Sequence, residues 1–227
     1  MSNVTAVIPA AGQGSRMKSS INKQFLNLLD RPVLAHTLAV FESNDKIDSI
    51  IVVVKEEEMQ ICRSKVIAAY PFTKVKAVIP GGRERWESVA KGLEQCNVDT
   101  GMVVVHDGAR PLLTCSLLDH VLEAAAIYGA AIAAVPVKDC IKEVERDTVA
   151  TTLNRNRLWA VQTPQAFRYE LLKKVYAAPI PEVVYDDAML VEQYGHPVKV
   201  VNGDYANIKI TTPEDLRVAA TLMEGRK

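Results

Sequence analysis

The sequence predicts an α/β protein built on a mostly parallel sheet covered on both faces. Short, β-branched apolar runs alternate with helical stretches over most of the chain. The first of these runs opens directly into a bend of very small residues. The length of 227 residues suits one domain of this kind, spanning 1–227, better than two.

Residues 4–8, Val-Thr-Ala-Val-Ile, have the length and branching of a buried parallel strand. Pro9 cannot donate to a ladder and should end the pairing. Ala10, Ala11, Gly12 and Gly14 follow with almost no side-chain volume, so backbone N–H groups can face an anion. Arg16 and Lys23 add two cations, and the stretch reads as a phosphate site. The dinucleotide fingerprint fails because Met17 stands where its third glycine belongs. The Walker pattern fails because no glycine precedes Lys18 or Lys23.

Residues 33–41 place apolar side chains on one helical stripe behind Pro32, expected in the first turn. Residues 49–54 are the second strand, and 56–70 a helix with acidic residues in its first turn. A third strand, 75–79, ends at Pro80-Gly81-Gly82, and a helix covers 84–96. The fourth strand, 102–105, delivers His106-Asp107-Gly108-Ala109-Arg110-Pro111 to its carboxyl end. Ligands of open parallel sheets sit outside the carboxyl ends of the strands, so loops 9–23, 80–88 and 106–111 should converge.

A helix over 116–128 and a strand over 130–135 come next. Residues 137–153 then alternate polar and apolar about a turn at Arg146-Asp147, as a two-stranded antiparallel ribbon does. A lone ribbon is marginal in water, so it should pack on something, such as a second subunit. Arg155, Arg157 and Trp159 follow it, then Gln162-Thr163-Pro164-Gln165. Helices are expected from near Arg168 and from Asp186-Asp187, a strand over 198–201, and a last helix over 214–223 signalled by Thr212 and Pro213.

With 27 basic and 27 acidic residues the net charge is zero, so nothing global favours nucleic acid or an anionic membrane. Cys62, Cys96, Cys115 and Cys140 are far apart and read as reduced thiols, and the four histidines show no metal-ligand spacing. No apolar run approaches membrane-spanning length, and the first strand begins within a few residues of the N-terminus. The expectation is a soluble, cytoplasmic protein.

Several motifs together resemble a known family: Ile8-Pro-Ala-Ala-Gly-x-Gly-x-Arg-Met, Lys23-Gln-Phe, Gly81-Gly-x-x-Arg85-x-x-Ser88-Val, Val105-His-Asp-Gly-Ala-Arg-Pro111, Thr163-Pro-Gln and Asn207-Ile-Lys. In order and spacing, over nearly the whole chain, they are similar to 2-C-methyl-D-erythritol 4-phosphate cytidylyltransferases. The resemblance implies a Rossmann-like, three-layer nucleotidyltransferase sandwich with a protruding β-ribbon dimerisation arm at about 137–159. It implies transfer of CMP from CTP to 2-C-methyl-D-erythritol 4-phosphate, with release of pyrophosphate, in the non-mevalonate isoprenoid pathway.

The attacking phosphate oxygen is already ionised, so the chemistry asks for positioning and fixed positive charge rather than a general base. The resemblance gives Arg16 and Lys23 the α-phosphate and the leaving pyrophosphate. It gives Pro9, Ala10, Ala11, Gly12, Gly14 and Ser15 the triphosphate, and Gly81, Gly82 and Ser88 the cytosine. Asp107, Arg110, Arg155, Thr163 and Lys209 would hold the acceptor, with Arg155 and Lys209 orienting its phosphate and Arg155 coming from the other subunit of a homodimer.

Asp107 is also the expected Mg²⁺ ligand, since Mg²⁺ favours a carboxylate together with substrate phosphates; by itself it would read as a helix N-cap. By themselves Arg155 and Lys209 would read as solvated surface cations. Arg83, Arg157 and Lys18 receive no role, and Tyr185 departs from the family's threonine, so that contact is not carried over. Ribitol-5-phosphate cytidylyltransferase and sugar-1-phosphate nucleotidyltransferases are the alternatives on the same fold. An inactive nucleotide-binding regulator is the alternative of another class.

Overall fold

The computed structural model describes residues 3–12 and 22–226. The chain runs β1 (Asn3–Pro9), β2 (Asn27–Leu28), β3 (Arg31–Pro32), α1 (Val33–Ser43), β4 (Ser49–Val54), α2 (Met59–Cys62) and β5 (Val75–Pro80). It continues through α3 (Arg85–Glu94), β6 (Thr100–Val105), α4 (Cys115–Tyr128), β7 (Ala130–Pro136), β8 (Lys142–Glu145) and β9 (Thr148–Thr152). Last come β10 (Trp159–Arg168), α5 (Tyr169–Ala177), α6 (Asp187–Gln193), β11 (Lys199–Asn202) and α7 (Pro213–Glu224).

The main sheet has seven strands in the order β11-β7-β10-β6-β1-β4-β5. Strand β10 runs against both its neighbours, and every other pairing in this sheet is parallel. Side-chain alternation along each strand builds the layers. In β1, Val4, Ala6 and Ile8 face one way and Val7 the other; in β4, Ile50, Val52 and Val54 oppose Ile51 and Val53. The first face is covered by α1 and α4 through Leu34, Leu38, Phe41, Leu118 and Val121. The second is covered by α3, α5 and α6 through Val89, Leu93, Leu172, Val175 and Val191. A third cluster of Leu28, Val33, Leu112, Ile210 and Ala219 seats α7. Helix α3 lies hard against β1: a Cβ on Gly92 would come 2.4 Å from a methyl of Val7, so only glycine fits there.

Some boundaries differ from the sequence expectation for local reasons. Pairing does not stop at Pro9, because the Ala10 N–H carries the ladder on to the Val53 carbonyl at 2.7 Å. Residues 56–70 are not one helix but a 3-10 turn, the short α2 and a wider turn at Arg63–Ile67, and no side chain caps their start. Strand β10 was not expected at all, since Pro164 and two glutamines disguise it. The proline falls in the register break between Val161 and Gln165 on the β7 side, where no ladder N–H is needed.

The ribbon is present as β8 paired to β9, with Arg146 and Asp147 both left-handed at its tip (φ 46° and 62°). Both its strands are exposed along their whole length, including Val144 at 57% and Val149 at 56%. Among the described residues no helix is long and apolar enough to cross a membrane.

Candidate active site

The three loops expected to converge do so at the carboxyl ends of β1, β5 and β6. Gly108 N–H donates to the Pro9 carbonyl at 3.1 Å, and a Cβ on Gly108 would come within 3.0 Å of Ala10, so these two loops touch backbone to backbone. A Cβ on Gly81 would lie 2.7 Å from Ala11, and one on Gly82 would overlap Glu87, which makes both glycines obligatory. Asn22 closes the far end of the first loop by donating to the Gly12 carbonyl at 2.8 Å, and Gln24 donates to that of Ala10. Gly14, Ser15 and Arg16 lie outside the described residues.

A cavity of about 250 Å³ opens between these loops. Pro9, Ala10, Ala11 and Gly12 form one wall, Gly82 and Ser88 another, and Lys23, Asp107 and Lys209 the floor and rim. Gly81 lies just outside, facing a neighbouring cleft with Gly82. Ser88 is almost wholly buried, and its hydroxyl accepts from Gly82 N–H at 3.1 Å and donates to the Glu84 carbonyl at 3.3 Å. It thus holds the shape of the Gly81-Gly82 turn.

A second cavity lies on the other side of Asp107, lined by Arg110, Thr163, Gln165, Tyr185 and Met189 and again by Lys209. Thr163 is buried, and its hydroxyl oxygen accepts from the Asp107 N–H at 3.0 Å, which leaves its own proton free to donate toward this cavity. Arg110 is fixed at both ends. Its guanidinium donates to the Asn207 carbonyl at 2.7 Å, and its carbonyl accepts from the ring of the fully buried His106 at 3.1 Å. Burial pushes His106 down to about 4, so the ring is neutral and must carry its proton on Nε2 to meet a carbonyl.

Asp107 is the meeting point. Its carboxylate is contacted by Arg85 Nε at 3.0 Å, Lys209 Nζ at 2.8 Å and Arg110 Nε at 3.6 Å. Burial alone would raise its pKa, but Arg85 foremost, then Lys209 and Arg110, hold it well below the usual carboxylate range. It caps no helix, since the N-cap of α4 is Thr114.

The Asp107 carboxylate is already countered by three cations, and among the described residues no three His, Cys, Asp or Glu side chains are grouped to hold a metal without substrate phosphates.

Arg155 is not brought to either cavity: it sits exposed on the turn after the ribbon, donating to the Lys138 carbonyl at 2.9 Å. The motif around Gly81-Gly82 contains Arg85 without pointing to its task, and in the sequence Asp187 reads only as a helix start. Arg85 Nη1 donates to Asp187 at 2.7 Å, so this one guanidinium joins Asp107 and Asp187. A signal was there to read: Arg85 stands at the first position of α3, where a cation opposes the helix dipole unless an anion answers it.

Two cation-lined cavities flank one fixed carboxylate at the carboxyl edge of a mostly parallel sheet, and the class of protein is an α/β nucleotidyltransferase. The family model described as 2-C-methyl-D-erythritol 4-phosphate cytidylyltransferase matches residues 4–225, and the chain belongs to that family. The protein of that name from Desulforamulus reducens is 48% identical over 229 residues, covering 100% of this chain and 98% of its own. The one from Halalkalibacterium halodurans is 47% identical over 225 residues, 98% of each. Among solved structures, the 4-diphosphocytidyl-2C-methyl-D-erythritol synthase of Anaerococcus prevotii has a TM-score of 0.85 at 32% identity, over 98% of this chain and 96% of that one.

Proposed function

We propose that this chain transfers CMP from CTP to 2-C-methyl-D-erythritol 4-phosphate, releasing pyrophosphate, and that the two cavities meeting at Asp107 hold the two substrates. That meeting is the observation which carries the assignment of residues. The cavity walled by the small-residue loop and by Gly82 and Ser88 suits a nucleotide triphosphate. The cavity of Arg110, Thr163 and Lys209 suits a polyol phosphate, because it combines cations with a hydroxyl donor.

An oxygen of the acceptor phosphate forms the new bond to the α-phosphorus, and the bond from that phosphorus to the oxygen bridging to the β-phosphate breaks. Its electron pair leaves with pyrophosphate. Lys23 and Lys209, with Arg16 on the first loop, offset the negative charge that this exchange builds up on the phosphate oxygens. Asp107, with its cations, fixes the acceptor's hydroxyl end. Mg²⁺ comes in this reading with the triphosphate, as an ion held by phosphate oxygens, and no step here is assigned to it.

The exposed ribbon supports a homodimer. Val144 and Val149 stand in water on a hairpin too small to be stable alone, and Arg155 at its base lines neither cavity of its own subunit and donates to the Lys138 carbonyl. In this proposal Arg155 enters the acceptor cavity of the partner, the chain forms one cytidylyltransferase domain, and it works in the cytoplasm.

The test is a pyrophosphate-release assay of the purified chain with CTP and either 2-C-methyl-D-erythritol 4-phosphate or ribitol 5-phosphate. Turnover with the former is expected. Faster turnover with ribitol 5-phosphate, or none with either, would overturn the assignment.

A further inference from the structure

Arg85 is the only described side chain besides Asp107 and Lys209 that lines both cavities. It occupies the first residue of α3, against the dipole, and yet makes two strong contacts: Nε to Asp107 at 3.0 Å and Nη1 to Asp187 at 2.7 Å. Asp187 is wholly buried, lines neither cavity, and also accepts a hydrogen bond from the Tyr176 hydroxyl of α5. Its neighbour Asp186 is separately engaged, capping α6 at the Met189 N–H (2.8 Å) and accepting from Gln165 at 2.9 Å. Three helices, α3, α5 and α6, are therefore tied to the end of β6 through one guanidinium. The cost of burying these charges is offset only while every partner stays in place. A capping aspartate alone would need none of this.

We propose that Arg85 is a positioning residue for the transfer: by holding Asp107 and Asp187 together it fixes the partition between the two cavities, and so the alignment of acceptor phosphate and α-phosphate. The proposal rests on the cytidylyl-transfer reading above. An inactive wild-type chain would fail that reading, whereas an active wild type with an indifferent Arg85 fails only this one.

The experiment measures kcat per folded site, and KM for each substrate, in Arg85→Ala, Arg85→Lys, Asp187→Ala and the Arg85→Ala/Asp187→Ala double variant. Misplacement by an ångström costs about 100-fold, so Arg85→Ala is expected to lose about that in kcat, with KM for CTP changed by less than about threefold. Asp187→Ala touches no substrate and should still lose about 10-fold in kcat, with the double variant no worse than Arg85→Ala alone, because both act through one group. Lysine cannot span two carboxylates, so Arg85→Lys should stay within about threefold of Arg85→Ala.

A charge pair that merely stabilises the fold would lower the folded fraction and leave kcat per folded site intact. If Arg85→Ala does not fold, the double variant, which strands neither charge, carries the same expectation of about 100-fold. Wild-type kcat in Asp187→Ala or in the double variant, full recovery by lysine, or losses in the double variant that multiply would each overturn the proposal.

Discussion

The edge of the sheet and the ribbon carry cations in opposite ways. At the sheet edge, Arg85, Arg110 and Lys209 all meet one buried carboxylate, and the loops beneath them touch without room for a methyl group. On the ribbon, Arg155 has a backbone carbonyl for company, and valines face water on a hairpin with no layer beneath it. The first region holds its cations on fixed partners, which is what electrostatic catalysis demands of groups that must not reorganise during reaction. The second has the look of a part whose surroundings come from elsewhere.

The sharpest way to break that contrast is at Lys23. Removing it takes a cation from the cavity proposed for the nucleotide, and Lys23→Ala is expected to lower kcat by about two to three orders of magnitude while CTP still binds. Steady-state kinetics with a separate CTP-binding titration checks both halves; near-wild-type kcat would show that this cation is not part of the machinery.

Arg155→Ala should cost about 10- to 100-fold. Its distinctive signature is complementation: mixed Arg155→Ala and Lys23→Ala subunits should regain activity through hybrid dimers that hold one intact site. Failure to regain it, after subunit exchange is demonstrated, would place Arg155 with its own chain.

Asp107 offers a test by pH. Its folded pKa is depressed, so as the pH falls the unfolded chain takes up the proton first. Its contribution to stability is complete above about pH 5 and is lost as the pH drops through the ordinary carboxylate range toward the folded pKa. The melting temperatures of wild type and Asp107→Asn should differ most near neutrality and converge in acid. A gap that widens in acid would reverse the sign of the argument.

The smallest effect belongs to Ser88→Ala. Losing the hydroxyl leaves the Gly82 N–H unmet and should cost about 1 kcal/mol in denaturant unfolding, with a modest rise in KM for CTP. A loss confined to kcat would point to a direct part in transfer instead.

Much of the site was legible because it is local in sequence. A strand, a proline and a run of alanine and glycine mark a tight, open-backbone turn by their volumes, with Arg16 and Lys23 turning that into a phosphate reading, while β4 and β6 announce themselves by β-branched apolar runs and β7 by an apolar run of alanines with Ile132 and Val135. What stayed hidden depends on distance along the chain. Arg85 and Asp187 are 102 residues apart, and neither has a neighbour that hints at the other. Strand β10 escaped for a different reason: its buried stretch includes Gln162, Thr163 and Gln165, polar because they hold Asp204, Asp107 and Asp186 in place, so the alternation of an ordinary strand is overwritten by the site.

The contact between Gly92 and Val7 has a mechanical consequence. With no slack under Gly92, that residue is a fulcrum, and Arg85 rides about 10 Å away, at the far end of a stiff rod of seven helical steps. A methyl group inserted beneath the fulcrum would rock the rod, and a tilt of about 6° would swing the guanidinium by roughly 1 Å, the scale at which transfer fails. A residue with no side chain, buried where α3 packs on β1, would then set the position of Arg85 through leverage alone.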